Sequence, residues 1–284
     1  MPASLPDVQL LENISGERDW PQLRPHESES KKVDMYVGDD YFRTVEANCF
    51  DPETRLDEMR AANVSVQVLS TVPVLFCYVK PRKAAIKFAQ YLNDDLAQVC
   101  RKYPTSFLGL GTLPLQDIDA SVQELQRCKH ELGLVDIEIG TEVNGLFLDD
   151  PIFEPLWRSC EELDMPLFVH PLGYSLPKEN IAVSAQGVSA SEHLRQSSNI
   201  WVDSLVHDPN LLEYLVKKIG SDRIVMGSDY PFPLGEVPEA GKMLASEQSL
   251  APFLSEGKRA AMLATNALQF LGIERDPRWR HLVG

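Results

Sequence analysis

Two residues at the ends of strand-like runs, His170 in PLFVH and Asp229 in GSDYPFP, are of types that ligate metal or move protons. A histidine from one strand end and an aspartate from a later one can converge on a single divalent metal, which would lower the pKa of a bound water and yield a hydroxide nucleophile. Each also has a plainer reading. A lone histidine closing a strand can be a hydrogen-bonded structural residue, and an aspartate there can cap a helix or pair with a cation. Arg43, in YFRTVEANCFDP, carries a planar fork that suits bidentate capture of a substrate carboxylate. Its alternative is an ordinary ion pair with Glu46 or Asp51. His207 in LVHDP could face the same site or serve as a cap before a helix opening at Pro209. His26, His130 and His193 sit in polar or helical surroundings and read as surface residues.

The elements that must position these groups follow from the hydrophobic pattern. Strand candidates are VSVQVLSTV (64–72), FLGLGTL (107–113), VDIEIGT (135–141), PLFVH (166–170), IWVDS (200–204) and RIVMGSD (223–229). Most are short, continuous and β-branched, as strands covered on both faces require. Between them, helical spacing predicts helices over 82–103, 117–131, 151–164 and 209–219, the last ending at Gly220. A final helix is expected over 255–271, stopping at Gly272. The helix over 151–164 opens at Asp150-Pro151, a cap followed by proline at the first helical position. Repeated strand–helix units imply parallel strands with right-handed crossovers. Polar, turn-rich loops after each strand (TVPV, GTLP, GTEVN, HPLGY, DSLVHD, SDYPFP) favour a (β/α)8 barrel, whose chemistry lies on that face. No GxGxxG turn supports a dinucleotide fold.

The expected class is therefore α/β, TIM-barrel-like, distorted and incomplete, with six of the eight strands evident. A single domain over 1–284 is expected. Residues 1–40 read as irregular, with ESESKK (27–32) a solvated loop. Residues 173–199 read as a shortened loop region and 273–284 as a tail.

Composition narrows the partners. Net charge is −15, from 42 acidic against 27 basic residues. Such a chain is repelled by nucleic acid and by anionic membranes, which leaves small molecules and other proteins. Five cysteines, spread singly with no CxxC pair, fit a reducing compartment. The opening residues do not resemble a signal peptide, and no window approaches the roughly 20 apolar residues of a membrane span. A cytosolic location is expected.

Several strings are more particular than these generalities. RTVEANCFDPETRLDEM, VQVLSTVPV, YLNDDLA, FLGLGTLPLQ, FVHP, WVDSLVHDP, GSDYPFPLGE and NALQFLG resemble, in this order, the aminocarboxymuconate semialdehyde decarboxylases of the metal-dependent amidohydrolase superfamily. The resemblance spans roughly 18–172 and 196–273. It implies a distorted (β/α)8 barrel, a homodimer, and zinc-dependent, non-oxidative decarboxylation of 2-amino-3-carboxymuconate 6-semialdehyde. That reaction belongs to tryptophan catabolism through the kynurenine pathway and diverts material from quinolinate. By the same resemblance His170 and Asp229 are zinc ligands and Arg43 contacts the substrate carboxylate.

The departures are as specific as the matches. The family's opening strand carries a His-x-His pair that supplies two further zinc ligands, and this chain contains no His-x-His. The family's FAHGGG segment, whose histidine assists the zinc-bound water, is also missing between His170 and His207. Both gaps coincide with the two strands that the hydrophobic pattern fails to supply. Three readings follow: a working decarboxylase, an impaired relative that acts as a dimerisation partner, and an amidohydrolase-type enzyme for another substrate, such as a hydroxybenzoate or a lactone.

Overall fold

The structure is a computed structural model that describes residues 8–170, 201–232, 235–236, 239–246 and 250–282. The chain divides into two compact units, Met1–Leu172 and Gly173–Gly284.

The first unit opens with helix α1 (Val8–Ser15) and three antiparallel strands, β1 (Pro21–Pro25), β2 (Lys32–Val37) and β3 (Asp40–Glu46), in the order β1-β2-β3. Residues 1–40 were expected to be irregular, and the described part of them is not. Prolines bound β1, where an edge strand tolerates them, and they hide the strand signal. In β2 only Met35 is fully buried, so the alternation is faint. The stretch 27–31 is the exposed loop between β1 and β2, as expected. Helix α2 (Pro52–Ala61) follows. It is capped by Asp51, whose carboxylate accepts from the Glu53 and Thr54 N–H groups at 3.2 Å each.

Four strands joined by three helices then supply the parallel sheet: β4 (Gln67–Leu69), α3 (Arg82–Lys102), β5 (Phe107–Gly111), α4 (Ile118–Arg127), β6 (Asp136–Gly140), the small hairpin β7 (Glu142–Val143) and β8 (Leu146–Phe147), α5 (Glu154–Glu162) and β9 (Leu167–His170). The sheet order is β4-β5-β6-β9, all parallel and in chain order. That is the pattern of half a (β/α)8 barrel.

Two cores hold this unit. One packs Leu125, Cys128, Leu134, Ile137, Ile139 and Leu156 between sheet and helices. The other gathers Leu11, Trp20, Met35 and Val45 of the N-terminal segment against Phe88 and Leu92 of α3. Glycines set the first contact. A Cβ on Gly111 would lie 2.9 Å from both Cys128 Sγ and Ile137 Cδ1, so only glycine lets β5 approach so closely. A buried polar lock adds to it. Asn93 of α3 donates to the Thr112 carbonyl (2.9 Å) and to Glu124 Oε1 (2.7 Å), and accepts from the Thr112 N–H (2.7 Å).

The second unit contains β10 (Val202–Asp203) and β11 (Ile224–Val225), paired in parallel, with α6 (Pro209–Ile219) between them in sequence. Then come α7 (Lys242–Ala245), α8 (Glu256–Ala260), a π turn over Ala261–Thr265, and α9 (Asn266–Phe270). Leu212, Ile224, Leu244, Leu250, Leu254 and Met262 form its core. Asn266 donates to the carbonyls of Ser221 (2.8 Å) and Ile224 (2.7 Å), tying the terminal helix to β11. The expected tail is a correction: Pro277–Leu282 forms a 3-10 helix, and Trp279 is fully buried. A single aromatic anchor among charged residues gives little sequence signal. The expected loop region 173–199 lies outside the described residues. All six strand candidates occur, four in the sheet of the first unit and two in the pair of the second. Among the described residues no helix is long and apolar enough to cross a membrane.

Candidate active site

Strand alternation decides which side chains share a face. Gly109 and Gly111 of β5 face Leu96, Cys100, Cys128 and Leu134 on the helix side. Leu108 and Leu110 therefore take the opposite face. In β6, Ile137 meets Gly111, so Asp136, Glu138 and Gly140 share that opposite face. Register pairs Glu138 with Phe168 and Gly140 with His170. His170 thus stands on the same face as Glu138, one layer nearer the strand ends. It is half-buried.

This face carries acids that the sequence reading passed over. Asp136 and Glu138 are 0 % and 1 % exposed. Burial pushes the Asp136 carboxyl far above the usual carboxylate range, helped by the neighbouring Glu138 charge. Burial also pushes Glu138 up to about 8, against hydrogen bonds accepted from the Ser70 hydroxyl and the Thr71 N–H. Asp136 Oδ2, Glu138 Oε2 and Thr112 Oγ1 are buried with no hydrogen-bond partner. Tyr78 closes over the same end: its hydroxyl accepts from the Gly140 N–H at 3.1 Å, and its carbonyl accepts from Asn144 Nδ2 at 2.9 Å. The signal was present in VDIEIGT, where two acids interrupt an otherwise apolar strand at a spacing of two.

Arg43 lies on β3, opposite Met35, and is half-buried. Of the carboxylates offered as its alternatives, Glu46 pairs with Lys32 Nζ at 3.1 Å and Asp51 caps α2.

The second unit holds the other candidates. Asp229 follows β11 on exposed, left-handed backbone with φ +49°, and its carbonyl accepts from the Phe232 N–H at 2.8 Å. The peptide bond Tyr230-Pro231 is cis. His207 is exposed at φ +56°. The cap of α6 is Asp208, whose carboxylate accepts from the Asn210 N–H at 2.7 Å, so the capping role considered for His207 belongs to its neighbour. Asp203 on β10 went unread as well. Its carboxylate accepts from the Leu205 N–H at 2.7 Å, and a Cβ on Gly227 would lie 2.8 Å from it. Of the remaining histidines, His26 is half-buried, with Nδ1 accepting from the Ser28 and Glu29 N–H groups, and His130 is exposed. His193 lies outside the described residues.

Among the described residues no three of His, Cys, Asp and Glu come together in a way that could hold a metal ion. His170 and Asp229 are two donors, whereas a catalytic zinc centre takes three protein ligands and a water. The described residues alone do not make up such a centre.

Comparison with known proteins places these features in context. The sequence pattern of the amidohydrolase family matches residues 20–273, a range that runs through both units. A 2-amino-3-carboxymuconate-6-semialdehyde decarboxylase of Dictyostelium discoideum is 33% identical over 335 residues, covering 96% of this chain and 90% of that one. Its counterpart in Caenorhabditis elegans is 30% identical, covering 97% and 93%. The first alignment, at 335 positions, exceeds the 284 residues of this chain by 51, so the relative carries internal residues that have no counterpart here. Among solved structures, a dihydroxybenzoic acid decarboxylase from Polaromonas, with bound manganese and the inhibitor 2-nitroresorcinol, superposes with a TM-score of 0.65. It is 19% identical and covers 81% of this chain and 88% of its own.

Proposed function

The chain belongs to the amidohydrolase family, alongside the aminocarboxymuconate semialdehyde decarboxylases, and from that membership we propose that it serves the non-oxidative decarboxylation of 2-amino-3-carboxymuconate 6-semialdehyde. One observation carries this: two decarboxylases of that name align with 96% and 97% of the chain. In the reaction the carbon–carboxylate bond breaks, its electron pair stays on the conjugated carbon skeleton, carbon dioxide leaves, and a proton takes the vacated position. On this reading Arg43 grips a substrate carboxylate, while His170 and Asp229 are donors to the divalent metal, zinc. A homodimer, a cytosolic location, one catalytic domain over 1–284 and a place in the kynurenine pathway complete the proposal. Because two donors do not make a catalytic metal centre, no chemical step is assigned to the metal.

Arg43 gives this reading a kinetic signature. Losing a bidentate grip on a carboxylate costs about 1.5–3 kcal/mol. Arg43→Ala should therefore raise KM by roughly 10- to 100-fold with kcat little changed, and Arg43→Lys should recover only part of the loss. An unchanged KM in steady-state kinetics would remove Arg43 from the site.

A second reading is favoured by a specific observation, the lack of any His-x-His pair. It makes the chain a catalytically impaired member that pairs with other copies of the family. Metal content separates the two. Elemental analysis of gel-filtered protein should find close to one divalent ion per chain if the decarboxylase reading holds. A folded, metal-free sample that stays metal-free after incubation with zinc selects the second.

A further inference from the structure

Tyr78 lies in the loop between β4 and α3, on no strand or helix, yet it is only 6 % exposed. Its hydroxyl accepts from the Gly140 N–H at 3.1 Å. Because β5 stands between β4 and β6, the loop must pass over the end of β5 before its tyrosine reaches β6. The Gly140 N–H lies beyond the β5–β6 ladder, whose last register pair is Gly111 with Ile137. The phenol oxygen therefore supplies, at the strand end, the acceptor that β5 no longer offers. On its other side Gly140 is the register partner of His170, the last residue of β9. Whatever fixes Gly140 thus acts on the backbone that carries His170, one strand spacing away.

The loop itself is fastened from three directions. Gln116, in the loop after β5, donates Nε2 to the carbonyls of Cys77 (3.0 Å) and Lys80 (3.1 Å). Asn144, at the tip of the β7–β8 hairpin, donates to the Tyr78 carbonyl at 2.9 Å. The buried Lys80 Nζ pairs with Asp19 and, at 3.3 Å, with Glu17 of the N-terminal segment. Inside the loop the Phe76 and Tyr78 rings stack, with centroids 5.4 Å apart. Between them Cys77 holds left-handed backbone at φ +53°, a conformation that persists in a non-glycine residue only where its surroundings over-determine it.

We propose that Tyr78 is a positioning residue for His170: its hydroxyl holds the Gly140 end of β6, and the Gly140–His170 pair passes that constraint to the histidine. Gln116, Asn144 and Lys80 hold the loop from which the hydroxyl reaches. The proposal rests on His170 belonging to the site, as in the reading above.

The test is NMR on the full chain, comparing wild type with Tyr78→Phe, Asn144→Ala and Leu125→Ala. Phenylalanine keeps the ring and its stack on Phe76 and deletes only the acceptor. Leu125→Ala weakens the same core from α4 and leaves the bonds of the loop in place, so it measures a merely structural loss. In Tyr78→Phe, exchange of the Gly140 amide hydrogen should quicken by about 10- to 100-fold, and the His170 ring resonances should shift. Asn144→Ala keeps the hydroxyl and loses the strap on its loop, so it should move the same ring in the same direction by less. Leu125→Ala should lower the melting temperature and leave the ring resonances in place. An unchanged Gly140 exchange rate in Tyr78→Phe would overturn the proposal. So would a His170 ring that ignores Tyr78→Phe, or one that moves as far in Leu125→Ala. Should Tyr78→Phe fail to fold, Asn144→Ala decides alone, and an unmoved ring there counts against the proposal. A ring that follows Tyr78 in a chain that releases no carbon dioxide upholds this inference and fails the decarboxylase reading. An active chain whose ring ignores Tyr78 does the reverse.

Discussion

Replacing Asn93 with leucine is expected to destabilise the first unit by about 3–5 kcal/mol. Asn93 is 0 % exposed, and all three of its hydrogen bonds are made inside the protein. Leucine fits the volume but offers neither donor nor acceptor. The Thr112 N–H and carbonyl would both be left unpaired at the end of β5, each at a cost of about 1–3 kcal/mol. Glu124 would keep Arg127, whose Nε and NH2 donate to it at 2.9 and 2.7 Å, so its charge stays compensated. The consequence reaches the acidic face of β6, because Thr112 directly follows Gly111, which pairs with Ile137 between Asp136 and Glu138. Urea unfolding should show a lower midpoint at an unchanged slope. A change under about 1 kcal/mol would mean that water replaces the amide without penalty.

The second large effect is a loss of stability toward alkaline pH. Glu138 is raised to about 8 in the folded chain from an ordinary value of 4.5. For an acid raised on folding, the unfolded chain releases its proton first. The contribution is therefore complete below the unfolded value and is lost progressively as pH rises through the folded one. For Glu138 that window runs from about 4.5 to about 8. The difference amounts to roughly 5 kcal/mol across it. Asp136 shifts in the same direction and adds to the slope. Unfolding free energy measured by denaturant titration at successive pH values should fall across this range, and Glu138→Gln should flatten the fall. A flat wild-type profile would mean that both acids find counter-charges in solution.

How much of this was legible in the sequence depends on where each signal lies. Helix α6 carries its boundaries in its letters, with Asp208 as cap, Pro209 at the first position and Gly220 at the end, and it occupies Pro209–Ile219 as read. Strand β5 was legible because both of its faces are covered, which makes it a continuous apolar run, whereas β4 and β9 were legible from their apolar, β-branched residues although Val68 and Val169 stay exposed. Each nonetheless extends less far than its run, since apolar flanks such as Val64 and Leu113 pack without entering the ladder. The N-terminal sheet was illegible for the opposite reason. Its burial comes from a few single contacts, Trp20, Met35 and Val45 against α3, and no periodic face announces them. Helix α2 was missed because only Met59 among its ten residues is buried.

Among the candidate residues, His170 was legible as a polar residue closing an apolar strand and Asp229 as one following another. Asp136 and Glu138 leave a signal in VDIEIGT, but two acids at a spacing of two inside a strand read as ordinary alternation toward water. Only the register with β5 and β9 shows that their face is closed.

The most direct test of the decarboxylase assignment is release of carbon dioxide from enzymatically generated 2-amino-3-carboxymuconate 6-semialdehyde by the purified, zinc-supplemented full chain. The account predicts release above the spontaneous rate, abolished by His170→Ala. A folded chain that binds zinc yet releases carbon dioxide no faster than buffer would contradict it.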